Sequence, residues 1–236
     1  MPSESLKNRI ALITGASRGI GQAVAIRFAQ EGAHVILVAR DVKGLEATDD
    51  AIRAIGGNAT LVPMDLSDSS LIELLAQQIA ERYGKLDILV GNAGLLGELT
   101  PMPHLAPDIW QQTLDVNLTA NFQLIRCFDA LLKQSDAPRA LFVTSGVASR
   151  LPAYWGIYAV SKAALDALVK VYAAENINSA LRINLISPGE VRTRMHAQAF
   201  PGADPETYAP PDAVTDVFVR LASPACTDHG KIHNAQ

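Results

Sequence analysis

Short apolar runs alternate with longer stretches of helical periodicity along the chain. Residues 9–14 (RIALIT), 34–39 (HVILVA), 59–64 (ATLVPM), 87–91 (DILVG), 140–144 (ALFVT) and 181–186 (LRINLI) predict strands. Most are nearly continuous in apolar residues, the pattern of strands covered on both faces. Between them, residues 20–31, 42–55, 68–83, 108–133 and 157–175 carry apolar positions at helical spacing. Such alternation implies right-handed crossovers and an α/β fold: a doubly wound parallel sheet with helices on both faces. Ser67 or Asp68 caps the third helix, and Pro107-Asp108 opens the fourth. The pattern breaks only at 200–211 (FPGADPETYAPP), so a substrate loop is expected at about 190–211.

Two helices are more apolar than one sheet face requires. In 157–175, Ala159, Val160, Ala163, Ala164, Ala167, Leu168 and Val171 form a stripe, with Leu165, Val169 and Ala173 off it. In 108–133 the stripe is Leu114, Leu118, Ile125, Phe128 and Leu132, with Leu124 and Leu131 elsewhere. Either loops cover the surplus or a second subunit does; the expectation is a homodimer or homotetramer.

Composition narrows the class. The 236 residues are 49% hydrophobic and 19% charged, which supports a buried core and argues against disorder. One domain spanning 1–236 is expected. The formal net charge of -4 lacks the basic excess of a nucleic-acid-coating surface. No run is long enough for a membrane span, the start Met1-Pro2-Ser3-Glu4-Ser5 has no leader pattern, and Cys127 and Cys226 read as reduced thiols. A cytoplasmic protein without nucleic-acid or membrane partners is expected. No histidine–carboxylate spacing suggests a metal, and His104 and His196 read as surface residues.

Candidate chemistry begins where the first strand runs into Thr14-Gly15-Ala16-Ser17-Arg18-Gly19-Ile20-Gly21 and a helix. Glycines permit the tight turn and close backbone approach to phosphate oxygens, and the helix start offers unpaired N–H groups to an anion. The spacing, Gly-x-x-x-Gly-x-Gly, departs from Gly-x-Gly-x-x-Gly, but the strand–turn–helix context supports a dinucleotide. The second strand ends in Arg40-Asp41. Arg40, with Arg18 in the turn, suits a 2′-phosphate, so NADP(H) is preferred; Asp41 leaves NAD(H) open.

A Tyr158-x-x-x-Lys162 pair places a phenol and an ammonium on one helix face. A free tyrosine titrates near 10, and lowering it by about 2–3 units takes about 3–4 kcal/mol of differential interaction. Lys162 and a cationic nicotinamide together are expected to supply that. Five tyrosines make a chance pair plausible, so the neighbours matter. Ser145, at the carboxyl edge of the fifth strand, suits a hydrogen bond to a substrate carbonyl, and Asn117 suits holding a relay water.

Thr14-Gly15-x-x-x-Gly19-x-Gly21, Asn92-Ala93-Gly94, Asn117, Ser145, Tyr158-x-x-x-Lys162 and Pro188-Gly189 resemble, in order and spacing, the short-chain dehydrogenase/reductase family over nearly the whole chain. The resemblance implies a Rossmann fold and hydride transfer between a nicotinamide and a carbonyl or alcohol. It implies catalytic roles for Tyr158 (acid/base), Lys162 (tuner of the phenol and ribose ligand), Ser145 and Asn117. For the cofactor it implies Gly15, Ser17, Arg18, Gly19, Ile20, Gly21 and Arg40. Asp65 and Leu66 would face the adenine, Asn92, Ala93 and Gly94 the adenosine side, and Pro188, Gly189, Val191 and Thr193 the nicotinamide. Read locally, Asp65 serves equally as a helix cap.

The run Asn92–Gly97 and the short ending look like a bacterial subgroup of uncharacterised oxidoreductases. Gly91 stands where many members carry a second asparagine, and is expected to loosen the fourth strand's contacts. The ending lacks a glycine pair common after the last strand, which favours a dimer through the two apolar helices. Leu95, Leu96, Val147, Leu151, Tyr154, Trp155, Met195 and Phe200 are expected to line the substrate pocket, fitting a medium-sized, fairly apolar ketone or aldehyde. The rival reading is a nicotinamide-binding regulatory or structural protein with little turnover.

Overall fold

The computed structural model describes residues 4–236; Met1, Pro2 and Ser3, where part of the leader reading falls, lie outside them. The six expected strands are present: β1 (Ile10–Thr14), β2 (His34–Ala39), β3 (Ala59–Pro63), β4 (Ile88–Gly91), β5 (Arg139–Val143) and β6 (Arg182–Ser187). A seventh, β7 (Ile232–Asn234), is built from the carboxyl-terminal stretch that the sequence pattern left unassigned. The order is β3-β2-β1-β4-β5-β6-β7 with every neighbouring pair parallel. The chain leaves β1 toward β2 and β3, then returns to β4 on its other side. The resulting crevice at the carboxyl ends of β1 and β4 is the topological switch point of a Rossmann sheet.

Continuous apolar strands serve both faces at once. In β1, Leu12 packs toward α3 (Ser69–Tyr83), α5 (Ala120–Leu132) and α7 (Gly156–Glu175) through Ile72, Leu124, Phe128 and Leu165. Its neighbours Ala11 and Ile13 pack toward α1 (Gly19–Gln30), α2 (Val42–Ala54) and α9 (Thr215–Ala222) through Val24, Phe28, Leu45 and Phe218. Burying each large aliphatic or aromatic side chain contributes about 1.5–3 kcal/mol before conformational entropy is charged against it. Asp68 is the N-cap of α3, its carboxylate accepting the Ser70 N–H at 3.0 Å.

Three sequence expectations change. The stretch read as one helix over 108–133 is α4 (Pro107–Leu114), a π turn at Asp115–Thr119, and α5. The π turn spans Asn117, and periodicity does not resolve one extra residue within a helix. The apolar stripe of α7 is not its buried face: Val160, Ala167 and Val171 are exposed, whereas Leu165, Val169 and Ala173 are buried with Tyr172. The sheet takes Leu165, Val169 and Tyr172, while Val160 and Val171 face outward beside Ala167. Finally, Gly91 does not loosen β4. A Cβ there would collide with Asn121 Oδ1 and the Phe142 ring, which fill the space an asparagine would need.

The expected loop over 190–211 contains α8 (Arg194–Ala199) and a short 3₁₀ turn at Pro205–Thr207, tied down by a bridge between Val191 and Ala209. Among the described residues, no helix is long and apolar enough to cross a membrane, and no group of three His, Cys, Asp or Glu side chains is placed to hold a metal ion.

Candidate active site

A single cleft of about 1050 Å³ runs across the switch point. One wall is the turn from β1 into α1. Gly15 and Gly19 sit at φ 68° and 57°, the left-handed region that glycine enters without a Cβ penalty. Arg18, the N-cap of α1, makes no side-chain cap hydrogen bond, so the first N–H groups of this 12-residue helix stay available to an anion. Thr14 ties the turn to the next strand. Its hydroxyl donates to the Val90 carbonyl at 3.2 Å and accepts the N–H groups of Asn92 and Ala93 at 2.9 and 3.0 Å. Asn92 Nδ2 returns a bond to the Thr14 carbonyl at 2.8 Å.

Gly15, Ser17, Arg18, Gly19, Ile20, Arg40, Asp65, Leu66, Asn92, Ala93 and Gly94 all line this end of the cleft. Gly21 does not. A Cβ on Gly21 would strike the Gly15 carbonyl and Asn92 Nδ2, so this glycine allows helix and turn to pack together instead of touching a ligand. Asp41, which left NAD open, caps α2 by accepting the Gly44 N–H at 3.2 Å and lies 4.0 Å from Arg18. Asp65 accepts the Ser67 N–H and hydroxyl at 2.9 and 2.8 Å and pairs with Arg40 at 3.3 Å. Those Ser67 bonds hold its carboxyl below the ordinary range. Asp65 is therefore not the helix cap that its local reading expected: Asp68 caps α3, and Asp65 holds the turn before it through Ser67.

The reactive groups stand at the other end. Ser145 follows β5, and Tyr158 and Lys162 project from the first turns of α7 into the same cleft. The Ser145 hydroxyl accepts the Val147 N–H at 3.3 Å and neighbours the Tyr158 phenol, where it favours the ionised form. Lys162 Nζ donates to the Val143 carbonyl at 2.8 Å and lies 5.9 Å from the Tyr158 ring centre. Burial holds the lysine down to about 8, opposed by the negative charge of Asp166 one helical turn on. Asp166 is itself anchored by the Thr144 hydroxyl at 2.5 Å.

On its own the chain does not lower the phenol. Burial pushes Tyr158 up from its usual value, and only Ser145 pulls it down. The protein's own groups therefore keep the phenol protonated at neutral pH, because burial outweighs the pull of Ser145. Asn117 lies beneath the reactive pair, joined to α7 through Ser161. Its side chain is fully buried and committed. Oδ1 accepts the Leu95 N–H at 2.7 Å, while Nδ2 donates to the Leu95 carbonyl and to Ser161 Oγ, both at 2.9 Å. Ser161 in turn donates to the Tyr158 carbonyl at 2.9 Å. Asn117 thus clamps the strand-four loop to α7 beneath the reactive pair.

Pro188, Gly189, Val191 and Thr193 line the cleft beyond Lys162. Gln236 packs on Gly189, so the carboxyl-terminal stretch borders the site. Leu95, Leu96, Val147, Trp155, Met195 and Phe200 form the apolar wall as expected, but Leu151 and Tyr154 point outward, 61% and 64% exposed. Both adopt φ in the left-handed region, 46° and 71°, which turns their side chains away. His196 is not a free surface residue. Its ring lies 4.0 Å from that of Tyr208 and 4.9 Å from that of Phe200; Phe200 in turn lies 5.7 Å from Trp155, and Trp155 6.0 Å from Tyr158. Thr14, Arg150, Ser161 and Asp166 were not foreseen as site residues. For Asp166 a signal existed, since it repeats the four-residue spacing of Tyr158 and Lys162.

Residues 9–204 match the family model for short chain dehydrogenases. The uncharacterised oxidoreductase YciK of Escherichia coli (strain K12) is 38% identical over 224 residues, covering 93% of this chain and 88% of its own. A short-chain dehydrogenase from Escherichia coli CFT073, solved with NADPH, superposes with a TM-score of 0.95 at 38% identity over the full length of both chains. One from Shigella flexneri 2a, solved with NADP, gives 0.94 at 36% identity and 99% coverage of each. With the switch-point cleft, the glycine turn and the Ser145, Tyr158 and Lys162 side chains in it, these likenesses make the chain a member of the short-chain dehydrogenase/reductase family of oxidoreductases.

Proposed function

We propose that this protein is an NADPH-dependent carbonyl reductase in which one domain supplies both cofactor and substrate walls. The observation that carries the reading is the convergence of Ser145, Tyr158 and Lys162 on the cleft that the glycine turn opens. The residues present fit the cofactor. Uncapped N–H groups of α1 face the pyrophosphate position, and the left-handed Gly15 and Gly19 let backbone approach it. Arg18 and Arg40 are the half-exposed cations for a 2′-phosphate. Their carboxylate partners are surface pairs, worth about 0–1 kcal/mol and readily exchanged for a phosphate. Asp65 and Leu66 border the adenine, Asn92, Ala93 and Gly94 the adenosine ribose, and Tyr158 with Lys162 the nicotinamide ribose. Pro188, Gly189, Val191 and Thr193 flank the nicotinamide. NAD(H) remains the second cofactor, left open by Asp41 and disfavoured because Arg18 and Arg40 offer two cations where its ribose carries no phosphate.

When bound, the reduced nicotinamide supplies a hydride, two electrons and one hydrogen, to the carbonyl carbon and is itself oxidised. The chain's part is the proton and the geometry. Ser145 donates to the substrate oxygen and orients it. Tyr158, protonated at neutral pH, gives its phenolic proton to that oxygen as the C–O double bond becomes single. Lys162 stabilises the phenolate left behind. Asn117 fixes the floor of the site and passes no proton through its committed side chain. The small-residue stripe of α7, with the exposed Phe122 of α5, is the face that a second copy covers in the homodimer or homotetramer.

The test is NADPH oxidation against a panel of ketones and aldehydes. Tyr158→Phe is expected to lower turnover by roughly 10²–10⁴-fold while leaving NADPH affinity within about threefold. Tight NADPH binding without oxidation of any carbonyl would instead favour the regulatory reading. Arg40→Asp is expected to shift the NADPH-to-NADH affinity ratio by about 10–100-fold toward NADH, the range for a lost charge-assisted bond. An unchanged ratio removes Arg40 from the phosphate site.

A further inference from the structure

Building on the carbonyl-reductase reading, we propose that the substrate carries a carboxylate, and that Arg150 receives it beside the reacting carbonyl. Arg150 is the last residue of α6 (Val147–Arg150), the four-residue helix that follows Ser145-Gly146. Its Nε donates to the Gly146 carbonyl at 3.3 Å, which anchors the guanidinium over Gly146. The guanidinium lies along Gly146: a Cβ built there would be in van der Waals contact with Arg150 Nη2 at 3.4 Å and Cζ at 3.7 Å. Gly146 adjoins Ser145, and consecutive Cα atoms are about 3.8 Å apart. The anchored cation therefore sits within a few bonds' reach of the oxygen that Ser145 orients.

Its charge is not spent within the protein. Among the other arginines of the cleft, Arg18 pairs with Asp41, Arg40 with Asp65, and Arg192 with Glu206. Arg194, at the start of α8, also lines the cleft without a carboxylate at ion-pair distance among the described residues, but Arg150 is the one fixed to the residue next to Ser145. Among the described residues, no carboxylate lies within ion-pair distance of Arg150. With Nε held by Gly146, Nη1 and Nη2 remain as an end-on fork, a geometry that matches the two oxygens of one carboxylate. The one further acid lining the cleft, Glu190, lies beyond the nicotinamide residues Pro188 and Gly189.

The rest of the wall fixes the substrate's body. Trp155, Met195, Ala199 and Leu99 cluster with Val147 and Tyr158 into an apolar surface, and Phe200 continues it. A neutral apolar ketone would use this surface and leave Arg150 idle. An oxo acid with an aryl or branched apolar group uses both, its carbonyl held between Ser145 and Tyr158. The reduction is the balanced step given above, yielding the hydroxy acid.

A matched pair of probes tests this: 3-benzoylpropanoate and its methyl ester, which share the ketone and the ring and differ in charge. Calorimetry on the full chain saturated with NADP+, where the ketone has no electron source, measures binding apart from turnover. The acid is expected to bind at least tenfold more tightly than the ester, with the preference shrinking as salt is raised. R150A is expected to bring the acid down to the ester's affinity, and R150K to restore part of the gap. Equal affinities in the parent chain, a preference that survives R150A, or no binding of either probe overturns the proposal. NADPH oxidation by the same pair judges the underlying reading separately. A retained tenfold preference without oxidation strikes carbonyl reduction and leaves the carboxylate subsite standing. Oxidation with equal affinities strikes the subsite alone.

Discussion

Along the ends of β1 and β4 the cleft wall is largely backbone. Gly15, Gly19 and the Asn92-Ala93-Gly94 turn are stitched together by Thr14 and Asn92, and the ligand-facing groups are N–H donors of a helix start. Across from it, from Arg150 to Tyr208, the wall is side chains. Trp155, Phe200, His196 and Tyr208 hang from short helices and touch one another in series. The first region tolerates almost no change of shape, since the atoms in question belong to the main chain. The second can be re-cut by replacing side chains while the sheet beneath stays as it is. One molecule thereby combines a fixed seat for a shared cofactor with an adjustable seat for a particular substrate.

The sharpest way to break this contrast is Gly21→Ala. A methyl group there strikes the Gly15 carbonyl, and backbone cannot swing aside as a side chain does. We expect about 1–3 kcal/mol of destabilisation, roughly 2–12 °C in Tm, together with at least tenfold weaker NADPH binding. An unchanged melting curve and affinity would mean that the turn is as pliable as the opposite wall.

Lys162→Met probes the seam between the regions. At pH 7 the folded chain holds a buried cation whose pKa is lowered from 10.5 to about 8, so below 8 this group works against folding. That penalty fades as pH rises from about 8 to 10.5, where the unfolded chain loses its proton too. Methionine removes it and sacrifices the bond to Val143. The expected net gain is about 1–2 kcal/mol near pH 7, with turnover lost and the stabilisation vanishing toward pH 10.5, measured by thermal melts across pH. In the parent enzyme kcat/KM for reduction should fall with rising pH, starting near 8, as the lysine gives up its charge.

The smallest effect belongs to the adjustable wall. Leu151 occupies left-handed backbone at a strain of about 1–2 kcal/mol, and its side chain points to solvent. Leu151→Gly relieves that strain against the entropy glycine adds to the unfolded chain, about 0.5–1 kcal/mol. Calorimetric melts should show a gain of no more than about 1 kcal/mol, with NADPH affinity untouched. A loss of more than about 1 kcal/mol would show that this segment is as shape-bound as the glycine turn.

The same contrast governs what could be read from the chain itself. Strand runs such as HVILVA, the glycine turn, and the placement of Ser145, Tyr158 and Lys162 in one cleft were legible, because spacing and local pattern specify them. Asn117 was legible as a position, but its clamp between the strand-four loop and α7 was not, since the π turn that buries its side chain leaves no periodic trace. The upward push on the phenol by the chain's own groups was not legible because burial is a property of the assembled fold, whereas the Tyr158–Lys162 spacing is visible locally. Arg150 and His196 were passed over because an arginine and a histidine outside any motif take their meaning only from which walls they face. β7 escaped because three residues pairing with β6 carry too short a pattern to stand out.

The π turn at Asp115–Thr119 has a further consequence. One added residue rotates everything before it by about 100° relative to an uninterrupted helix. It acts as a phase-shifter, letting α4 follow α7 while α5 keeps its own register against α3. Variation along α4 can thus be absorbed at the π turn without retuning the packing of α5 on α3 below it.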